Sequence, residues 1–461
     1  MARHEGAARV RPGILDRFLN LFADVRAGEG LTVILLMTNL FVILAGYYLL
    51  KTIREPLILA SSGGGAEVKS YAAAAIAGIL MVLVPIYSAL ASRVSRVRLI
   101  NSVNLFFILC LVAFFLLNKA GVGVGVPFFI WVGIFNLMVI AQLWAFANDV
   151  YTVQEGTRLF SIVGFGASLG AIAGAFFTGQ LVKEYGPYPF MLGAAFLIAV
   201  SMLLTNLVNT REKRGQGSDV TAGDRTEAAG APAAAEARGA AVAKGRSGFN
   251  LVFSDRYLLL IAGLMLLSNL VNTTGEYILG KTVVTQYEHV HGLAAVGGID
   301  EKKVIGEFYG NYFTIVNVIS ALIQAFLVSR VLKYFGVRAG LLVLPLVGLI
   351  GYGAMAFVPI LAFIRAAKIA ENSIDYSLQN TTRNALYLPT SREAKYKAKQ
   401  ANDTFFVRFG DVISAGIVFA GTVWLGFEPQ QFALVNLALI AVWLVVAVAL
   451  GRRFHRLARA D

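Results

Sequence analysis

Long apolar runs, separated by short polar breaks, fill the chain from residue 31 to residue 450. An α-helix needs about 18 or more such residues to cross the hydrocarbon layer of a bilayer, which is roughly 30 Å thick. By that measure helices are predicted at 31–50, 70–91, 99–118, 127–147, 162–182 and 188–208, and again at 257–279, 307–330, 338–358, 360–386, 404–424 and 430–450. The runs are continuous rather than alternating, so the expected class is an all-α integral membrane protein with twelve transmembrane helices. Between the two sets of six, residues 210–250 are rich in Ala, Gly and charge and lack apolar periodicity, the pattern of a flexible linker. The division expected is an N-terminal segment 1–30, a six-helix bundle 31–209, the linker, a second bundle 251–450 and a basic tail 451–461.

Of the 461 residues, 57% are apolar and 15% charged, a composition that excludes an ordinary soluble globule. The net charge of +13 would suit nucleic acid, until the basic residues are placed on the helix plan. Of the 40 Lys and Arg, 28 fall on the side of the N-terminus, eight on the opposite side and four within helices. By the positive-inside bias both termini face the cytoplasm. The excess charge then has a topological cause and an attraction to anionic membrane lipids, with no nucleic-acid partner expected. Residues 14–25 place Ile14, Phe18, Leu21, Phe22 and Val25 on one helical face, which predicts an interfacial helix. Thirty mostly polar residues precede the first run, so no cleavable signal peptide is expected. With Cys110 as the single cysteine, no intrachain disulfide can form.

The two halves repeat one another. Gly46, Tyr48, Lys51 and Thr52 match Gly275, Tyr277, Lys281 and Thr282; Asn148 and Tyr151 match Asn384 and Tyr387; Ser92-Arg93 matches Ser329-Arg330; Phe165-Gly166 matches Phe409-Gly410. The offsets rise steadily along the chain, and each match joins helices of equal rank. The repeats are therefore parallel, which predicts two lobes with a site between them near mid-membrane. Residues 275–282, GEYILGKT, satisfy the phosphate-loop pattern, but they lie inside an apolar helix rather than after a strand, so the match is accidental.

Charges inside membrane helices are costly and mark pathways or partners. On 360–386, Arg365, Lys368, Asn372, Asp375, Gln379 and Arg383 recur at three- and four-residue steps, one polar stripe suited to an aqueous pathway or to an internal ion-pair network such as Lys368 with Glu371. Arg383 has no carboxylate three or four residues away. At the far end of the first helix, Lys51, Arg54 and Glu55 follow Tyr47 and Tyr48, opposite Glu276, Tyr277 and Lys281 by the duplication. Paired cations interleaved with tyrosines suit an anion that carries a flat ring, although Lys51 and Lys281 also fit the snorkelling of ordinary helix-end residues. The candidate substrate-binding set is thus Tyr48, Arg54, Asn148, Glu276, Lys368, Asp375, Gln379 and Arg383. Asp149, Asp403, Arg408 and Asp411 sit where helices meet the N-terminal side and read as gate-side ion pairs.

The basic connections Ser92-Arg93-Val-Ser-Arg96-Val-Arg98 and Ser329-Arg330-Val-Leu-Lys333-Tyr-Phe-Gly-Val-Arg338 are similar to the loop signature of the major facilitator superfamily. That resemblance implies a gating role for Arg93, Arg96, Arg330 and Lys333, alongside Arg408 and Asp411. Leu143-Trp144-Ala-Phe-Ala-Asn148-Asp-Val-Tyr-Thr152-Val-Gln-Glu155 with Phe160, Gly166 and Ser168 resembles the plastid and intracellular-bacterial ATP/ADP translocase family. So does Asp375-Tyr376-Ser377-Leu378 with Arg383, Tyr387, Leu388 and Pro389. This second resemblance implies nucleotide exchange by alternating access across a bacterial inner membrane; a chain that works as a monomer, without a cofactor, is expected. Family cations in the first and tenth helices are similar in place to Arg54 and Arg383. Another solute, moved by exchange or with protons, is the alternative. An embedded lipid-handling enzyme would need a catalytic cluster, and no Ser/His/Asp set or metal-ligand set is found in the spans.

Overall fold

The computed structural model describes residues 19–20, 24–26, 29–61, 63–91, 94–151, 153–216, 248–292, 298–391 and 393–458. Among them are twelve long helical elements: α1 (Gly30–Leu59), α2 (Ala66–Ala91), α3 (Arg96–Lys119), α4 (Gly125–Val150), α5 (Val153–Tyr185) and α6 (Pro189–Gln216), then α7 (Arg256–His291). α8 joins Ile299–Leu322 to Val328–Tyr334 through a π turn, Ile323–Leu327, and α9 is Gly336–Phe357. α10 comprises Leu361–Ile374, a π turn Asp375–Gln379 and Asn380–Ala385; α11 runs from Lys399–Ala401 through Asn402–Phe406 and Val407–Phe419 to Ala420–Trp424; α12 is Pro429–Leu457. Eleven are long and apolar enough to cross a membrane. α10 misses that measure because Arg365, Lys368, Glu371 and Asp375 fall within three turns, yet its span from residue 361 to 385 is long enough to cross.

The duplication read from sequence reappears as packing. α1 packs on α4, α5 and α6, and α7 packs on α10, α11 and α12 in the same pattern, while α3 with α6 corresponds to α9 with α12. The two six-helix bundles meet through α5 on α8 and α2 on α11. Small residues permit the closest approaches. A Cβ on Gly166, Gly170 or Gly174 of α5 would collide with the backbone carbonyls of Met37, Phe41 and Ala45 on α1. Gly410 of α11, the duplicate of Gly166, lies against the carbonyl of Leu266 on α7. Between the bundles, a Cβ on Gly310 of α8 would collide with the backbone of Gly179 on α5. Such backbone contact is how helices associate where apolar burial gives no advantage over lipid.

Two expectations about boundaries change. α1 continues to Leu59 and α2 begins at Ala66, so Lys51, Arg54 and Lys69, three of the eight cations placed on the opposite side, lie inside helices. α6 runs to Gln216, and a short helix, Gly248–Ser254, precedes α7, so the expected linker 210–250 is helical at both margins; its remainder, 217–247, lies outside the described residues. Most of the expected interfacial helix 14–25 and the first 18 residues also lie outside them.

Candidate functional site

Below, the near end is the one where α1 and α7 begin, and the far end is the one where they finish. Near the far end, four cations and three carboxylates from both bundles converge. Glu55 of α1 forms an ion pair with Lys69 of α2 at 2.7 Å and accepts a hydrogen bond from Arg54 at 3.0 Å. Lys69 also lies 3.7 Å from Glu276 of α7, which in turn lies 3.7 Å from Lys368 of α10. Lys368, fully buried, donates to Glu371 at 2.9 Å and to the side-chain oxygen of Asn272 at 2.8 Å. Tyr352 of α9 donates to Glu371 at 2.9 Å, and Asn372 donates to Glu276 at 3.0 Å and to the Tyr312 hydroxyl at 2.7 Å. Close pairing and further hydrogen bonds of this kind offset the cost of taking ions out of water. Gly275 makes the arrangement possible, because a Cβ there would collide with the Tyr352 hydroxyl and crowd the Lys368 ammonium.

Lys51 stands apart. Its ammonium, buried on α1, sits 4.4 Å from the Phe313 ring centre, 5.0 Å from that of Tyr48 and 5.3 Å from that of Tyr376, and it donates to the Tyr376 hydroxyl at 3.2 Å. Among the described residues no carboxylate lies within ion-pair distance of it. Phe313 belongs to α8 and Tyr376 to α10, so an aromatic box from the second bundle closes on a cation of the first. Tyr376 is 38% exposed. The Arg54 guanidinium stacks on Phe129 at 4.6 Å.

The candidate residues therefore divide. Tyr48, Arg54, Glu276 and Lys368 come together in the far half, with Tyr48 donating to Asn317 of α8 at 3.0 Å. Asp375 and Arg383 pair at 3.5 Å. Arg383 is thus not without a carboxylate: the π turn at 375–379 brings a partner eight residues away onto its face. Gln379 leaves the polar stripe. It is fully buried, and neither of its amide atoms has a partner among the described residues, since the extra residue in the wide turn rotates it off the line of Asp375. Asn148 is exposed at the near end of α4, about two residues from its terminus and far along the helix axis from the cluster.

Arg96 pairs with Asp149 at 2.5 Å, tying α3 to α4. Arg408 pairs with Asp411 at 3.3 Å, and Asp411 accepts from Asn269 and Thr273 of α7; both ties lie within one bundle. Arg330 donates to the carbonyl of Phe326 on its own helix, Lys333 lies over the Tyr334 ring, and Arg93 falls outside the described residues. At the near end Arg383 also lines a cleft of about 280 Å³ with Asn380, Asn384, Tyr387, Lys399 and Asp403. GEYILGKT is helical throughout, within α7. Among the described residues no cluster could hold a metal, and His291 bonds to and stacks on Tyr287.

Several bonds between the bundles lie from mid-helix to the far end. Besides Lys69 with Glu276 and Tyr48 with Asn317, Glu67 of α2 takes Lys281 at 2.9 Å and Tyr277 at 3.1 Å, and Lys183 meets Glu307 at 3.4 Å. The candidate set from sequence does not contain Lys51, Lys69 or Glu371. Lys69 directly precedes the apolar run and reads as its flank; the signal that could have recovered it is the acid–base spacing Glu67-x-Lys69 at the start of a helix.

The model of the Major Facilitator Superfamily matches residues 35–370. ADP,ATP carrier protein 1 of Chlamydia pneumoniae is 24% identical over 350 residues, covering 69% of this chain and 65% of that protein; this chain thus spans about two thirds of that relative. The counterpart from Chlamydia trachomatis is 23% identical over 361 residues and is covered over 63% of its length. Among solved structures, an auto-inhibited POT family peptide transporter superposes with a TM-score of 0.61 at 12% identity, over 93% of this chain and 97% of that one. The nucleoside transporter NupG gives 0.60 at 12% identity, over 91% and 98%. At these identities the structural likeness concerns the fold.

Proposed function

The chain belongs to the Major Facilitator Superfamily, and on that premise we propose that it is a secondary transporter of a small organic anion of the nucleotide class, working by ATP/ADP exchange with no covalent step. The observation that carries the reading is the charge imbalance of the far-half cluster. Lys51, Arg54, Lys69 and Lys368 face only Glu55, Glu276 and Glu371, and Lys51 is the cation left without a carboxylate among the described residues. An uncompensated charge in a low-dielectric site is expensive, so a ligand that brings negative charge gains what the fold leaves unmet. Phosphate oxygens suit the ammonium of Lys51 and the planar guanidinium of Arg54. The rings of Tyr48 and Tyr376 suit the face of a base. The names of the chlamydial carriers agree with that chemistry.

In this account Glu276 and Lys368 hold the cluster in shape, while Asp375, Arg383 and Asn148 mark the route from the near end. Gln379 would act through packing, since it does not face that route. The cross-bundle bonds in the far half give a state closed there. With the near end cytoplasmic, as the basic side chains favour, this is the inward-facing state of an inner-membrane carrier. Uptake of labelled ATP into proteoliposomes preloaded with ADP tests the proposal. The expected result is saturable uptake that collapses when the vesicles contain no nucleotide. No uptake across a panel of nucleotides would remove the substrate assignment.

A further inference from the structure

At the near end, on the outer side of the second bundle, α9 packs along α12 and leaves a crevice of about 210 Å³ lined by Arg338, Leu342, Ala447, Val448, Gly451 and Arg452. Arg338 and Arg452 are both exposed, and among the described residues neither has a carboxylate within ion-pair distance. The sequence explains why: it holds no Asp or Glu from residue 308 to 370 or from 429 to 460. Arg330, Lys333, Arg453 and Arg456 add to the same end, so the rim is cationic with no internal neutralisation from α9 or α12. One arginine is already aimed, for the Arg338 Nε donates to the Gly451 carbonyl at 3.0 Å. Gly451 is buried, and a Cβ there would press on the Arg338 side chain at 3.2 Å; the missing side chain keeps the crevice open. One helical turn deeper than each arginine stand Leu342 and Val448, the latter 39% exposed.

We propose that this crevice is a binding site for an anionic phospholipid. Arg338 and Arg452 hold the phosphodiester, and the glycerol and first methylenes lie against Leu342, Ala447 and Val448. The shape is amphipathic in the required direction, with paired guanidinium groups at the water level and apolar walls toward the bilayer centre. Basic pockets between transmembrane helices on the cytoplasmic side select anionic headgroups in this way. A free phosphate ion would meet the arginines and make no use of the walls. The site is remote from the far-half cluster and does not depend on the nature of the solute.

The test uses full-length protein, stripped of lipid in an uncharged detergent. Its unfolding temperature is followed while phosphatidylglycerol, phosphatidylcholine or inorganic phosphate is added, and native mass spectrometry counts the retained lipid. Phosphatidylglycerol should raise the unfolding temperature saturably and stay bound, whereas phosphatidylcholine and inorganic phosphate should not. Arg338→Gln/Arg452→Gln should weaken the effect by roughly tenfold or more, and Arg330→Gln/Lys333→Gln should leave it intact. Val448→Trp, which fills the crevice from its lipid-facing lip and keeps both arginines, should abolish it. An equal shift with inorganic phosphate would make the site one for a free anion. Equal shifts with phosphatidylcholine, or an undiminished shift in both the double arginine variant and Val448→Trp, would overturn the proposal.

Discussion

In the proposed function, the residue that separates a packed core from a binding site is Lys51. Its counter-charge is three aromatic faces and one hydroxyl, which soften a buried ammonium without neutralising it. Lys368 is the contrasting case, satisfied by Glu371 and Asn272. The same change should therefore have different outcomes at the two lysines. Lys51→Met should fold with undiminished thermal stability and lose transport. Lys368→Met should strand the Glu371 carboxylate and lower stability by about 3–5 kcal/mol, measured as a fall in unfolding temperature, with part of the loss regained in Lys368→Met/Glu371→Met. Sequence alone ranks these two lysines in the opposite order to the one proposed here. The helical stripe singles out Lys368, while Lys51, although one of the paired cations, fits a snorkelling helix end equally well because the apolar run stops at Leu50. What decides the matter is α1 continuing to Leu59, and apolar counting cannot see a helix that goes on through Lys51, Arg54 and Glu55.

At the scale of elements, most of the plan was legible: the twelve crossings, their split into sixes and the parallel repeat all follow from run length and ordered matches. The π turns were not, and they matter most on α10. Regular spacing places Gln379 on the polar stripe, whereas the wide turn at Asp375–Gln379 buries it and delivers Asp375 to Arg383. π turns recur on α8 and α11, and such turns cluster at functional sites. Glycines set the closest helix contacts, with testable consequences. Gly275→Ala on α7 should push the Tyr352 hydroxyl from its place and cost about 1–3 kcal/mol, read by thermal unfolding. Gly310→Ala on α8 should prevent α5 and α8 from meeting in the far half. In a Cys110→Ser background, a cysteine introduced at Gly186 should then label faster with a membrane-impermeant maleimide than in the parent, and an unchanged rate would show that this contact does not control closure.

For the whole molecule, one geometry unites the parts: two bundles of matching design, bonded through their far halves, enclose a cluster whose last charge, in the proposed function, is met by a ligand. Lys281 with Glu67 and Lys183 with Glu307 are partly exposed pairs, each worth little alone, so Glu67→Gln should leave stability nearly unchanged while favouring far-end opening in the same labelling assay. The most direct measurement is the unfolding temperature of purified wild type and Lys51→Met across an ATP titration, since a ligand that binds the folded state stabilises it in proportion to its occupancy. Wild type should be stabilised saturably, and the variant, folded and equally stable without ligand, should not respond. A Lys51→Met protein that responds to ATP as wild type does would contradict the claim that this cation receives the anion.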